Sequence, residues 1–309
     1  MKVIQKTQQS DIATVYIAKS TDNKMIEFVE SIQPPFTIKE KWILMVSMLF
    51  GCPGKCKFCD AGGNYQGKLS FEQIMFQIDY MIQKRFPTKN VNVEKFKIQF
   101  ARMGEPSFND AVLEVLKALP QKYNFKTFIP SVSTIAPRGT ERFFQSLTDL
   151  KNSLYPENFQ LQFSIHSTDE KQRDYLMPIK KWGFQQIADY GNNFYNEGNR
   201  KITLNFALGR DSIIKPEILT RYFDPDIFLI KITPVNPTYN ALANNIKSDF
   251  GSQLAGYEII DKLEEKGYQV ILSIGELEEN KIGSNCGQFI HSLKKKMVSD
   301  AYSYELENV

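Results

Sequence analysis

Hydrophobic and polar residues change their period along the chain. Residues 12–19 (IATVYIAK) and 24–31 (KMIEFVES) read as two strands flanking the turn-forming STDN. The PPF at 34–36 is a stiff, extended break. Residues 42–50 (WILMVSMLF) form a continuous apolar run, suited to a strand buried on both faces. From 69 to 86 the period becomes helical, with Phe71, Ile74, Met75, Ile78, Met81 and Ile82 on one face. Ser70 and Gln73 offer a capping box, and Pro87 ends the helix. The strand–helix unit then recurs. Strands at 96–103, 126–133, 159–166, 201–208, 227–233 and 268–274 alternate with helices at 109–119, 139–150, 184–196, 215–223 and 252–267. The tail after Asn285 reads as helical.

Repeated units of this kind predict a parallel sheet with right-handed crossovers. About six in a row point to an α/β fold, an incomplete (β/α)6-type barrel, with a doubly wound sheet left open by the pattern. The expected organisation is an N-terminal β hairpin or extension over 1–38, the barrel over 39–275, and a C-terminal segment over 276–309 that carries Cys286.

Composition adds bounds. The chain is 42% hydrophobic and 24% charged over 309 residues, which is ordinary for a soluble globular protein. A formal net charge of +3 permits an anionic partner such as RNA without requiring one. Lys294–Lys296 reads as a solvated helix face. The polar start, MKVIQKTQQS, is not a secretory signal, and no apolar run approaches the ~20 residues of a membrane span. The expected setting is cytoplasmic, with reduced thiols and no membrane partner.

The chemistry concentrates at 50–63, FGCPGKCKFCDAGG. Cys52, Cys56 and Cys59 lie in the loop after the first long strand, at the end of a (β/α) barrel where reactions take place. Gly51, Gly54, Gly62 and Gly63 let this loop bend tightly. A structural zinc ion wants four protein ligands; Cys286, His166 or His291 could complete such a set. A four-iron cluster ordinarily takes four thiolates, so three would leave one iron open to a cofactor or substrate. Unrelated buried thiols are the remaining reading.

This cysteine spacing, with Phe58 before the last thiol, closely resembles the radical S-adenosylmethionine (radical SAM) superfamily. From about Met25 to His291 the chain is similar to the radical SAM RNA methyltransferases that act on carbon 2 or carbon 8 of adenine. The resemblance implies a [4Fe-4S] cluster on Cys52, Cys56 and Cys59. Its open iron would bind S-adenosylmethionine, and one electron would cleave that cofactor to a 5′-deoxyadenosyl radical. RMGEPSFN looks like the family's GMGEP, which implies Gly104 and Glu105 at the methionyl amine. SVST resembles the next cofactor contact, at Ser133. FSIHSTDEKQRDYLMPIKKW is similar to the family's SLHA…RD…PI stretch and implies Ser164, Ile165 and His166 at the cofactor. ITPVNP implies Asn236. SNCGQFI resembles ACGQ, whose cysteine, here Cys286, becomes S-methylated and then carries a carbon radical to the adenine ring. Glu27 falls where the family has a glutamate proposed as a proton acceptor. Apart from the resemblance, Glu27 reads equally as an exposed hairpin residue, His166 as a satisfied core histidine, and Cys286 as a small buried side chain.

Two departures stand out. The family's LCVSSQVGC-like stretch holds a cysteine that resolves the protein–product bond through a disulfide. The matching stretch here, LMVSMLFGC, has Met45 at that position, and a thioether cannot form a disulfide. The family also carries a helical accessory domain that grips RNA, where this chain has a short hairpin, so RNA recognition by that route is not expected. The expected function is radical SAM methyl transfer through Cys286 to an RNA, nucleotide or purine-like substrate, with a reducing partner such as flavodoxin or ferredoxin. Two alternatives stand beside it: non-methylating radical chemistry on a non-RNA small molecule, and a non-catalytic metal- and nucleotide-binding protein.

Overall fold

A computed structural model describes residues 1–7, 11–248, 254–273, 290 and 306–309. The strands are β1 (Lys2–Thr7), β2 (Ala13–Lys19), β3 (Met25–Ser31), β4 (Lys41–Val46), β5 (Asn90–Val91), β6 (Lys95–Phe100), β7 (Asn124–Phe125), β8 (Phe128–Thr134), β9 (Gln160–Ser164), β10 (Ile202–Leu208), β11 (Phe228–Pro234), β12 (Val270–Leu272) and β13 (Leu306–Asn308). The helices are α1 (Phe71–Arg85), α2 (Ala111–Lys122), α3 (Glu141–Leu154), α4 (Glu170–Leu176), α5 (Phe184–Phe194), α6 (Pro216–Tyr222), α7 (Tyr239–Ala243) and α8 (Leu254–Glu264).

One sheet of 11 strands organises the molecule, in the order β12-β11-β10-β9-β8-β6-β4-β3-β2-β1-β13. From β4 to β12 every neighbouring pair is parallel and the strands follow chain order. A doubly wound sheet reverses its order at a switch point; none occurs here, so the sheet is a partial barrel. The N-terminal hairpin is a three-strand meander, and β3 pairs antiparallel with β4. The meander therefore extends the barrel sheet. Among the described residues no helix is long and apolar enough to cross a membrane.

The strand pattern explains the two faces of the sheet. In β6, Phe96, Ile98 and Phe100 are fully buried in the main core with Ile74, Ile78, Val112 and Leu116, each large side chain contributing about 1.5–3 kcal/mol. The alternate residues Lys95, Lys97 and Gln99 take the inner face. Pairing carries that face around the barrel: Met45 beside Gln99, Gln99 beside Ser131, Ser131 beside Gln160, and Asn205 beside Lys231.

Helix α1 begins as its sequence dictates. Ser70 Oγ accepts from the Gln73 N–H at 3.3 Å, and Gln73 Oε1 accepts from the Ser70 N–H at 3.0 Å. Its buried face follows the apolar spacing, with one polar addition. Gln77 is fully buried, donates to the Ser47 carbonyl at 2.9 Å and accepts from the Ser47 N–H at 2.8 Å. The helix thereby fixes the end of β4 just before the cysteine loop.

Candidate active site

The cysteine loop leaves the C-terminal end of β4 and closes on itself. Cys52 and Gly63 exchange backbone hydrogen bonds, and the Cys59 N–H donates to the Cys56 carbonyl at 3.2 Å. Gly51 has φ +76°, and a Cβ there would lie 2.5 Å from the Asn64 carbonyl oxygen, so only glycine fits this turn. A second clamp comes from far along the chain. Thr238 Oγ1 donates to the Phe58 carbonyl at 2.8 Å, Asn240 Nδ2 to the Cys59 carbonyl at 2.8 Å, and Asn244 Nδ2 to the Lys57 carbonyl at 3.0 Å. Asp60 returns the contact by accepting from the N–H groups of Tyr239 and Asn240 at 3.1 and 2.8 Å. None of these clamp residues was among the sequence candidates. Thr238 also caps α7 by accepting from the Ala241 N–H.

Cys52, Cys56 and Cys59 are thiols rather than disulfide halves, each half-buried. A Cβ placed on Gly54 would meet Cys52 Sγ at 3.4 Å and Cys56 Sγ at 3.8 Å. Two thiols thus flank a space that any side chain at 54 would fill. Burial, with the nearby Glu105 charge, pushes the Cys52 thiol up to about 11. Burial, then Cys52 and Glu105, push Cys56 up to about 12. Bound iron reverses this preference, because a coordinated thiol is deprotonated outright. Among the described residues no three His, Cys, Asp or Glu side chains converge on one metal ion. In a four-iron cluster each thiolate would bind its own iron. The donor set and the space at Gly54 fit such a cluster, which when bound supplies the electron that cleaves S-adenosylmethionine.

The other sequence candidates gather at the same end of the strands. Gly104 follows β6 with φ +96°, and a Cβ there would lie 2.4 Å from Leu49 Cγ. The glycine of this segment is required by packing and backbone alike. Glu105 is buried, with Oε1 accepting from the Ser107 N–H and Oγ and from Thr134 Oγ1, and Oε2 from the Ile135 N–H at 2.9 Å. A carboxylate offers about four acceptor positions, two per oxygen, so Oε2 keeps capacity for an ammonium donor. Burial raises the Glu105 pKa, opposed first by the Thr134 and Ile135 hydrogen bonds. Ser133 lies half-buried near the end of β8, Ser164 half-buried at the end of β9, and Asn236 half-buried just beyond β11. Ile165 is fully buried and donates its N–H to the Asn205 carbonyl at 2.9 Å.

His166 is buried, with φ +61°. Its Nδ1 accepts from the Ala207 N–H at 2.9 Å, which puts the proton of the neutral ring on Nε2. Phe58 of the cysteine loop packs edge-to-face on the ring, centroids 4.8 Å apart. Burial, then the Arg173 charge, lower the imidazole pKa to about 3. The unfolded chain takes up this proton near pH 6.5. Stability is therefore complete above that pH and declines as pH falls toward about 3. Asparagine tolerates the left-handed backbone and keeps an acceptor, so His166→Asn is expected to unfold about 1–2 kcal/mol less readily than His166→Ala. It should also lose part of the acid-dependent decline. Chemical denaturation across a pH series reads both effects; equal stability of the two variants would contradict the assigned hydrogen bond.

Glu27 is fully buried, which corrects the reading of an exposed hairpin glutamate. The cause is the segment beyond β6, where Arg102 and Met103 meet Glu27, together with Ile290. Arg102 Nη2 donates to Glu27 Oε2 at 2.6 Å, and the Ile290 N–H donates to Oε1 at 2.7 Å. Burial raises the Glu27 pKa, and Arg102, then Ile290, oppose the rise. Arg102 opens the RMGEP segment, in the place where the family segment GMGEP has glycine. The carboxylate proposed as a proton acceptor thus already holds a guanidinium. Ile290 also lines a cavity of about 40 Å³ with Phe50, Gly51, Asp60, Ala61 and Met103. Met45 stands half-buried on the inner face of β4, beside Val29 and Gln99. Cys286, His291 and Lys294–Lys296 lie outside the described residues.

The comparisons agree with this geometry. A family model described as the Radical SAM superfamily matches residues 46–212, more than half of the chain. A probable dual-specificity RNA methyltransferase RlmN from Pseudothermotoga lettingae is 26% identical over 246 residues, covering 77% of this chain and 67% of its own length. Its counterpart from Desulfitobacterium hafniense is 26% identical over 270 residues, covering 83% and 69%. The chain spans about two thirds of the length of these curated relatives. A radical SAM methyltransferase from Sphaerobacter thermophilus shares the fold, with TM-score 0.69 and 17% identity over 89% of this chain and 77% of that one. SuiB from Streptococcus suis, solved with S-adenosylmethionine, does so with TM-score 0.52 and 14% identity over 77% and 51%. A thiol loop at the strand ends, a barrel left open, and a match across both place the chain in the radical SAM superfamily, as an RlmN-like member that uses a [4Fe-4S] cluster and S-adenosylmethionine.

Proposed function

We propose that this protein transfers a methyl group by radical chemistry, with Cys286 as the carrier and an RNA, nucleotide or purine-like molecule as the acceptor. In this reading Cys52, Cys56 and Cys59 bind the cluster. Gly104, Glu105, Ser133, Ser164, Ile165, His166 and Asn236 cradle S-adenosylmethionine, with Glu105 Oε2 taking the methionyl ammonium. A flavodoxin or ferredoxin supplies electrons.

The observation that carries the reading is the Ile290 N–H on Glu27, beside the cysteine loop. Cys286 precedes Ile290 by four residues, so chain connectivity keeps their Cα atoms within about 14 Å. That supports a role for Cys286 at the same site. The RNA methyltransferase activity named for the curated relatives supports the acceptor class. Met45 bars the family's disulfide release, so an external thiol or an elimination route must free the product. Incubating the reduced, cluster-loaded protein with methyl-labelled S-adenosylmethionine should label the Cys286 peptide. Absence of label there under reducing conditions would end this reading.

A second reading has specific support from Met45 and from the Arg102–Glu27 pair, which together alter the release and proton-transfer groups. Here the adenosyl radical acts directly on a non-RNA substrate. Formation of 5′-deoxyadenosine with no methyl transfer would favour it.

A further inference from the structure

The Glu27 carboxylate joins segments of the chain that the proposed chemistry needs together. Its Oε2 accepts from Arg102 Nη2 at 2.6 Å, and its Oε1 from the Ile290 N–H, 263 positions away, at 2.7 Å. The Glu27 backbone is held as well. Its N–H donates to Met103 Sδ at 3.3 Å, and its carbonyl accepts from Ser47 Oγ. Ser47 Oγ in turn accepts from the Met103 N–H at 3.2 Å. The Met103 carbonyl accepts from the N–H groups of Met48 and Leu49 at 2.8 and 3.1 Å. Met103 immediately precedes Gly104 and Glu105, and Leu49 leads into the cysteine loop. Ile290 completes the junction. Its side chain is buried in the main core and lines the small cavity shared with Gly51, Asp60 and Ala61 of that loop.

This arrangement suits an anchor better than a proton acceptor. A general base must come within hydrogen-bond reach of the proton it takes, directly or through one water. Both oxygens of Glu27 already hold donors, and neither Glu27 nor Arg102 reaches the surface. The nearby cavity, about 40 Å³, has room for water but not for a purine ring. An ionised carboxylate also binds a backbone N–H more strongly than a neutral oxygen does. Pairing with Arg102 favours that ionised form.

We infer that Glu27 and Arg102 form a positioning pair, which anchors the backbone at Ile290 and so seats the segment carrying Cys286 beside the cysteine loop and the Gly104–Glu105 turn. Arg102 stands where the resembling segment has glycine, and a glycine there has no side chain to bond Glu27. The inference deepens the proposed function and rests on it in one respect: that Cys286, four residues before Ile290, acts at this site. It assigns Glu27 to positioning instead of proton transfer.

The test compares two double variants of the full, cluster-loaded chain, Glu27→Gln/Arg102→Met and Glu27→Met/Arg102→Met. Both remove the ion pair and the ionisable carboxyl together. Only the first keeps an amide oxygen that can accept from the Ile290 N–H. Hydrogen exchange at the Ile290 amide should stay within about threefold of wild type in the first variant and be at least about tenfold faster in the second. Labelling of Cys286 from methyl-labelled S-adenosylmethionine should follow the same order, near wild type in the first and at least about tenfold slower in the second. Iron content should match wild type in both, which shows that each variant folds and loads its cluster. Equal Ile290 exchange in the two variants would overturn the anchor. Equal loss of Cys286 labelling in both would mean that the carboxyl itself is required, and would overturn the positioning assignment. Wild-type protein that takes no label would end the methyl-carrier reading, while the exchange difference still decides the anchor, so the two readings fail separately.

Discussion

Replacing Cys52, Cys56 or Cys59 singly with alanine is expected to abolish iron loading and cofactor cleavage. The loss should exceed about a hundredfold, more than the 10- to 100-fold usual for groups that only support metal ligands. Cys52 and Cys56 flank the space at Gly54 and Cys59 lies on the same closed loop; a four-iron cluster ordinarily takes four thiolates, so losing one of three leaves too few to hold it. The clamp gives a graded comparison. Asn240→Ala removes one hydrogen bond to the Cys59 carbonyl and should cost about 1 kcal/mol, with iron loading retained. Iron and sulfide content after anaerobic reconstitution separates the cases. A cysteine variant that loads iron as the wild type does would contradict the ligand assignment.

Breaking the Glu27–Arg102 pair is the second large effect. Both side chains are buried, 0% and 1% exposed, so removing one partner leaves an unpaired charge and should cost about 3–5 kcal/mol. Arg102→Met is the sharper variant, since it strands a carboxylate whose pKa is already raised by burial. That carboxylate then takes up a proton as pH falls. The deficit of Arg102→Met relative to wild type should therefore shrink as pH falls through the raised Glu27 pKa toward the ordinary carboxylate value of 4.5. The double variant Glu27→Met/Arg102→Met should recover much of the loss, because an apolar pair of similar volume replaces a buried ion pair at little cost. Denaturation of the three variants gives the coupling energy; additive single losses would mean that the pair does not act as a unit. The contact matters beyond stability, because Glu27 also holds the Ile290 N–H, a few residues from Cys286.

Much of this was legible in the sequence, for local reasons. The apolar period and the Ser70–Gln73 box define α1, and both depend on residues within a turn of each other. The alternation in KFKIQF foretells one apolar and one polar face of β6. Other features depend on distant neighbours. The burial of Glu27 follows from Arg102, Met103 and Ile290, which lie far along the chain and which the alternation of KMIEFVES cannot reveal. Helix α7 spans only Tyr239–Ala243, too short for a periodic signal, yet it holds the cysteine loop from about 180 positions away. Gln77 falls on the apolar face of α1 and looks like an interruption there. Only the Ser47 backbone explains it.

The most direct measurement is the yield of 5′-deoxyadenosine from reduced, cluster-loaded protein, wild type against Cys286→Ala, with S-adenosylmethionine and a nucleotide acceptor. If Cys286 carries the methyl group that the radical attacks, productive cleavage should fall at least about tenfold in the variant, with iron content unchanged. Undiminished 5′-deoxyadenosine from Cys286→Ala would contradict methyl carriage and leave direct radical attack on the substrate as the reaction.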